Sequence, residues 1–269
     1  MASLLDVADQ VIAVPGLEAL PVGRAPATAV NLHGRGPESH RVLLATRPGQ
    51  LIAFANRAAG MAGPQWEPGE HEVHRWCRML AEHGIPADPT RLDLPPPPLA
   101  APAVAREATV IHPGAASAAR RWPADRWAEV ARRQMAAGRT VVLTGSLTDW
   151  ELGQCIARKA GLPPDACLAG RTSVVELAAV VCAAGLVLSG DTGIAHLATA
   201  FGRPSVVLFG PVPPSEWGPP PDRPQHVALW AGRRGDPHGD RVDPGLVAIT
   251  VDEVLAAAER ARAAGGLVP

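Results

Sequence analysis

The sequence predicts an α/β protein built on parallel sheets. Three observations carry this. Apolar, β-branched runs alternate with amphipathic helical stretches through the second half of the chain. These runs are solidly apolar rather than alternating, as in a sheet covered on both faces. Each clear run ends in a glycine turn, at the edge where open parallel sheets bind their ligands.

In the first block, residues 29–33 and 51–54 read as strands. Residues 39–46 and 70–82 read as helices, the second stopped by Gly84. Pro95-Pro96-Pro97-Pro98 then opens a stretch that favours extended polyproline conformation, and 95–106 is predicted to be a semi-rigid linker. The second block opens with a strand over 109–112 that ends in Pro113-Gly114. A helix over 125–137, closed by Gly138, precedes a strand over 140–144 that ends in Gly145. A helix over 149–160 is stopped by Gly161. Ser173 and Glu176 form a capping-box pattern for a helix to 184. A strand over 186–189, a short helix over 194–201 and a strand over 205–209 follow. An amphipathic helix over 251–264 closes the chain. The expected domains are a first block over 1–94, the linker, a second block over 107–250, and a C-terminal helix and tail over 251–269.

Composition narrows the function. The chain has 269 residues, 47% hydrophobic and 19% charged, enough for a sizeable core. A net charge of -1 argues against a polybasic protein of nucleic acids or membrane surfaces. No apolar run reaches the length of a spanning helix, and the first residues lack a signal-peptide pattern, so the cytoplasm is expected. Cys77, Cys155, Cys167 and Cys182 are widely spaced and read as free, mostly buried thiols. Lys159 is the only lysine and lies outside any G-K-[ST] sequence, so a Walker A loop is excluded. Any anion site must therefore use arginine or backbone amides.

Gly190-Asp191-Thr192-Gly193 ends a strand and opens a helix. The free N–H groups and dipole of that helix start suit an anion, and Thr192 adds a hydroxyl. An ordinary N-cap would look the same. Four further glycine turns along the same sheet edge favour a diphosphate seat. In Arg120-Arg121-Trp122-Pro123 an arginine could close over that diphosphate, or the pair could be solvated. Asp149, at a helix start, suits either ribose hydroxyls or the helix dipole. His196 reads by itself as a packed residue. Trp217 and Trp230 could line a pocket, although packing explains them better. The Asp-Thr-Gly also resembles an aspartic-protease strand, but that chemistry needs two such aspartates, and the surroundings read as βα. A Gly-x-Ser-x-Gly elbow is absent, so a hydrolase is not indicated.

One family shares this series in order. Val110-Ile111-His112-Pro113-Gly114-Ala115, Arg121-Trp122-Pro123, Leu143-Thr144-Gly145 and Ala169-Gly170-Arg171-Thr172-Ser173 come first. Gly190 through Ala198, Phe209-Gly210-Pro211 and Trp217-Gly218-Pro219 follow. The series resembles glycosyltransferase family 9, the ADP-heptose:lipopolysaccharide heptosyltransferases and their relatives. Asn31-Leu32-His33-Gly34 and His71-Glu72-Val73 are similar to the family's first domain.

The resemblance implies a GT-B fold of two Rossmann-like domains, here with the first incomplete. It implies transfer of a heptose-like sugar from a nucleoside diphosphate to a glycan or lipid-linked acceptor. That transfer would be inverting, with neither cofactor nor metal, and part of lipopolysaccharide core biosynthesis. Peripheral membrane association would come through the acceptor. Arg121 matches the basic residue at the donor phosphate, and Gly114 lies in the first strand-end turn. Thr192 and Gly193 match the diphosphate turn, and Asp191 the acid on sugar hydroxyls. Asp149 stands where the ribose-reading acid is usually Glu, and His196 occupies a motif position. The family opens with a strand and a Gly-Asp turn whose Asp is the expected base. That turn is expected to precede residue 1. Glu38, His33 and His40 are the alternative base candidates, in a stretch that also reads as plain structure. A protein that binds the nucleotide-sugar without transferring it is the alternative function.

Overall fold

The computed structural model describes residues 8–266. The chain divides into two compact units, 9–91 and 92–266 within the described residues.

In the smaller unit, β1 (Thr28–Val30) and β2 (Gln50–Ile52) pair in parallel, with Ala29 opposite Leu51. Between them runs α1 (Glu38–Ala45), and α2 (Glu72–Glu82) follows. The strands are shorter than the apolar runs suggest. Beyond Ile52, the buried Ala53 and Phe54 continue as core rather than ladder. Ile52, Phe54 and Met79 pack with Trp66, Trp76 and Leu80. Phe54 and Trp66 meet edge-to-face at 5.0 Å. The other side joins Ala29, Leu51 and Ala53 to Leu43 and Met61.

The larger unit holds a five-stranded, wholly parallel sheet. Its strands are β3 (Thr109–His112), β4 (Val141–Leu143), β5 (Leu186–Gly190), β6 (Ser205–Phe209) and β7 (His226–Trp230), in the order β4-β3-β5-β6-β7. Burial on both faces explains their solid apolarity. Ile111, Leu143, Leu186, Leu188, Val206 and Leu208 face α3 (Ala124–Ala136), α4 (Trp150–Ala160) and α9 (Val251–Gly265). Val110, Val142 and Val187 face α5 (Val174–Ala183) and α6 (Gly193–Ala200).

Three features depart from the sequence reading. β7 is a fifth strand, paired to β6 from Ser205–His226 to Phe209–Trp230, and short helices α7 (Pro214–Trp217) and α8 (Pro244–Ala248) complete the unit. Trp230, on β7, is packed, as the sequence reading favours. It packs with Val207 and Phe209, and its indole N–H donates to the Gly210 carbonyl at 3.1 Å. The stretch around Pro95–Pro98 also packs onto the larger unit. Leu94, Ala101 and Val104 lie against its core, and the Leu94 N–H donates to the Ala200 carbonyl at 3.0 Å. The C-terminal helix is equally integral. Val254, Ala257, Ala258 and Ala261 are core residues, and Arg262 donates to the Thr109 hydroxyl at 2.7 Å. The four cysteines are free, Cys167 buried and the other three half-buried.

Candidate functional site

β3 lies between β4 and β5, so the turns leaving these three strands are neighbours at the carboxyl edge of the sheet. The sequence-predicted residues of the larger unit sit on these turns.

After β5, the chain passes Gly190 and Asp191 into Thr192, the N-cap of α6. The Thr192 backbone is extended, and its hydroxyl makes only a long contact to the Gly190 carbonyl, at 3.4 Å. The cap is thus not self-satisfied. Ala195 N–H donates to the Thr192 carbonyl at 3.0 Å, which leaves the Gly193 and Ile194 N–H groups as the open amides of the first turn. Gly193 is exposed, and a side chain there would meet nothing within 4 Å. Space above the helix start is therefore open to a ligand. Burial pushes the Asp191 carboxyl above the ordinary carboxylate range, and the neighbouring Arg120 charge opposes this. His196 lies one turn into α6, exposed, with its ring 6.2 Å from that of Trp217 on α7.

After β3, Gly114 passes under Asp149. A Cβ on Gly114 would overlap the Asp149 carboxylate, and one on Gly145 would fall 2.8 Å from the Asp149 Cβ. The two glycines make the space this carboxylate occupies. Asp149 Oδ2 accepts from the Ser146 N–H at 2.9 Å and the Ser146 hydroxyl at 2.5 Å, closing a capping box. The helix-start role of Asp149 is therefore filled within the chain. Its Oδ1 faces Arg121 Nη2 at 4.0 Å. His112 shares a hydrogen bond with the Thr144 hydroxyl at 3.0 Å. Burial pushes its pKa down, against the pull of Asp149.

The two adjacent arginines diverge. Arg121 donates from Nε to the Ala115 carbonyl at 2.9 Å and leans toward Asp149. Arg120 reaches across to the Gly190–Gly193 turn, donating from Nη1 to the Asp191 carbonyl at 3.3 Å. Its buried Nε has no partner among the described residues. The arginine that meets the Gly190–Gly193 turn is thus Arg120, one position before the residue that motif matching selects. Sequence reasoning flags the pair, but neighbouring residues on an irregular loop carry no periodicity to separate them. Trp217, which the sequence offers as a pocket residue but reads first as core, stands beside His196.

In the smaller unit, His40 is fully buried. Its Nε2 lies 2.8 Å from the Phe54 carbonyl, which can only accept, so Nε2 carries the proton. Its Nδ1 then accepts from Asn31 at 3.0 Å. With no nitrogen left to receive a proton, His40 is withdrawn as a base candidate. His33 and Glu38 are exposed.

With this geometry in hand, comparison with known proteins decides the family. The profile described as "Glycosyltransferase family 9 (heptosyltransferase)" matches residues 60–242. The chain belongs to glycosyltransferase family 9. It is 33% identical over 143 residues to lipopolysaccharide heptosyltransferase 2 of Escherichia coli K12, which covers 51% of this chain and 41% of that relative. The chain thus spans about two-fifths of that curated relative's length. Among solved structures, a glycosyl transferase family 9 protein from Veillonella parvula superposes with TM-score 0.68 at 19% identity, covering 88% of this chain and 73% of that one. The E. coli ADP-heptose lps heptosyltransferase II gives 0.65 at 23% identity, covering 88% and 76%. The family 9 chain thus has the α/β, parallel-sheet architecture of GT-B heptosyltransferases.

Proposed function

We propose that this family 9 chain carries the donor half of a glycosyltransferase that moves a heptose-type sugar from a nucleoside-diphosphate donor, of ADP-heptose type, to a lipopolysaccharide-core acceptor. One observation carries the reading. The open helix start at Thr192-Gly193 faces Arg120, whose charge has no acidic partner within salt-bridge distance among the described residues. Amides and a guanidinium therefore converge where a diphosphate would sit. The superposable E. coli protein is an ADP-heptose lps heptosyltransferase, and a donor of that type is consistent with this seat.

In this reading the first-turn amides of α6 and the Thr192 hydroxyl hold the diphosphate. Arg120 neutralises the charge that develops as the sugar–phosphate bond breaks. Asp191 receives sugar hydroxyls, and His196 with Trp217 borders the sugar. Gly114, Arg121 and Asp149 form the neighbouring wall, where Oδ1 of Asp149 is the remaining acceptor for a ribose hydroxyl. Because the anion is met by amides and a guanidinium, transfer is expected to proceed without a metal; inversion and a cytoplasmic location are carried over from the family resemblance. A base would have to activate the acceptor hydroxyl. His33 and Glu38 remain to be assayed for that role.

The test is calorimetric titration of ADP, UDP and GDP, followed by transfer from ADP-heptose in EDTA. Selective ADP binding with transfer supports the reading. Binding without transfer to any acceptor converts it to a nucleotide-sugar-binding protein. No nucleotide binding overturns it.

A further inference from the structure

The amino-terminal edge of the larger sheet, opposite the strand-end turns, brings together two other arginines. Arg203 lies on the loop that leads from α6 into β6, and Arg262 in the last turn of α9. A Cβ on Gly265 would overlap the Pro204 ring, so the end of α9 lies directly against that loop. Arg203 and Arg262 thereby line one cavity of about 240 Å³, together with Glu107 at the entry to β3 and Gly185 at the entry to β5.

The ordinary role of an arginine at this edge is to meet the carbonyls of helix C-termini. It does not account for these two. Arg262 donates from Nη2 to the Thr109 hydroxyl at 2.7 Å, and that hydroxyl donates in turn to Gln134 Oε1 at 3.1 Å. The Arg262 Nε is buried without a hydrogen-bond partner, and so is the Nε of Arg203. Neither guanidinium has an acid within salt-bridge distance among the described residues. A buried N–H left unpaired is costly, and a group from outside the chain is one way to meet it.

The charges favour an anion. The cavity lining carries two guanidiniums against one carboxylate, that of Glu107. Burial pushes the Arg262 pKa down, the Arg139 charge adds to this, and Glu259 and Glu107 offset it only in part. Glu259 is itself engaged by Arg139, at 2.6 Å and 2.8 Å. The volume is several times the ~30 Å³ that a water occupies in the liquid, so an oxyanion fits with water beside it.

We propose that this cavity binds a small, doubly charged oxyanion of the phosphate class through the side chains of Arg203 and Arg262. A tetrahedral anion presents oxygens in several directions and can meet two guanidinium forks, whereas a planar carboxylate matches one. The site is separate from the Gly190–Gly193 turn. Strand β5 runs between them, with Gly185 just before it and Gly190 at its far end. The proposal does not rest on the transferase reading.

The test is calorimetric titration of inorganic phosphate, up to about 10 mM, into the full chain carrying Arg120→Ala, which weakens the α6 start as a rival site. Adding Arg203→Gln should weaken phosphate binding by about 10–150-fold. No bond within the chain is lost with that side chain, so the thermal midpoint without phosphate should hold. Adding Glu107→Gln instead removes the opposing charge and should tighten binding by about threefold or more. Arg260→Gln, at an exposed position of α9, should leave binding unchanged. Acetate should bind at least about tenfold more weakly than phosphate. No phosphate binding, equal binding with Arg203→Gln, equal loss with Arg260→Gln, unchanged or weaker binding with Glu107→Gln, or acetate bound as tightly as phosphate overturns the proposal.

Discussion

Arg120 Nη1 donates to the main-chain carbonyl of Asp191 at 3.3 Å, across 71 residues of sequence. This contact joins the loop after β3 to the turn that opens α6. It ties the open start of α6 to a specific guanidinium. Arg121 is turned toward Ala115 and Asp149.

Arg120→Ala should weaken ADP binding by roughly 10–150-fold, the value of a charge-assisted hydrogen bond of about 1.5–3 kcal/mol. Arg121→Ala, 42% exposed and leaning on Asp149, should cost less than about tenfold. Paired calorimetric titrations decide the order. The reverse order would return the phosphate role to Arg121.

Gly193→Ala separates stability from function. The added methyl meets no protein atom within 4 Å and sits in a helix, where alanine is favoured by about 1 kcal/mol. The thermal midpoint should hold or rise while ADP affinity falls by about tenfold or more. Unchanged affinity would show that nothing binds against this helix start.

Gly114→Ala should destabilise the protein by about 1–3 kcal/mol, because its Cβ overlaps the Asp149 carboxylate. Asp149→Ala should cost about 1 kcal/mol through the lost capping box with Ser146. The double variant should cost less than the sum, since removing the carboxylate removes the overlap. Urea midpoints of the four proteins complete the cycle.

His226 sets a pH dependence. Burial, with Arg223 adding to it, pushes its pKa from 6.5 to about 4. Its Nδ1 pairs with the Ser205 hydroxyl at 2.9 Å. Below about pH 6.5 the unfolded chain binds a proton that the folded chain refuses, so stability falls as pH drops toward about 4. The loss should approach about 2–3 kcal/mol. His226→Gln should flatten that part of the urea-midpoint profile. An unchanged slope would assign it to other groups.

Much of the larger unit is legible in the chain. The β3 and β6 ranges agree with the structure residue for residue, because strands buried on both faces carry an unbroken apolar signal. The Ser173–Glu176 capping box forms as its spacing predicts. β7 escapes because its edge position leaves Val227 through Trp230 only half-buried. The smaller unit is legible in outline only. Its strands stop after three residues each, so local apolarity overstates the ladder.

The sequence by itself determined the alternation of strand and helix, the glycine turns at the strand ends, and the family. These rest on local spacing, which a linear chain displays. Only the tertiary structure decided which of two adjacent arginines meets the Gly190–Gly193 turn. It alone showed that Asp149 is engaged by Ser146 over Gly114 and that both nitrogens of His40 are occupied. Each is a relation between a side-chain direction and a distant partner. Such relations are fixed by how packed elements bring separate turns to one edge, and no local pattern encodes them.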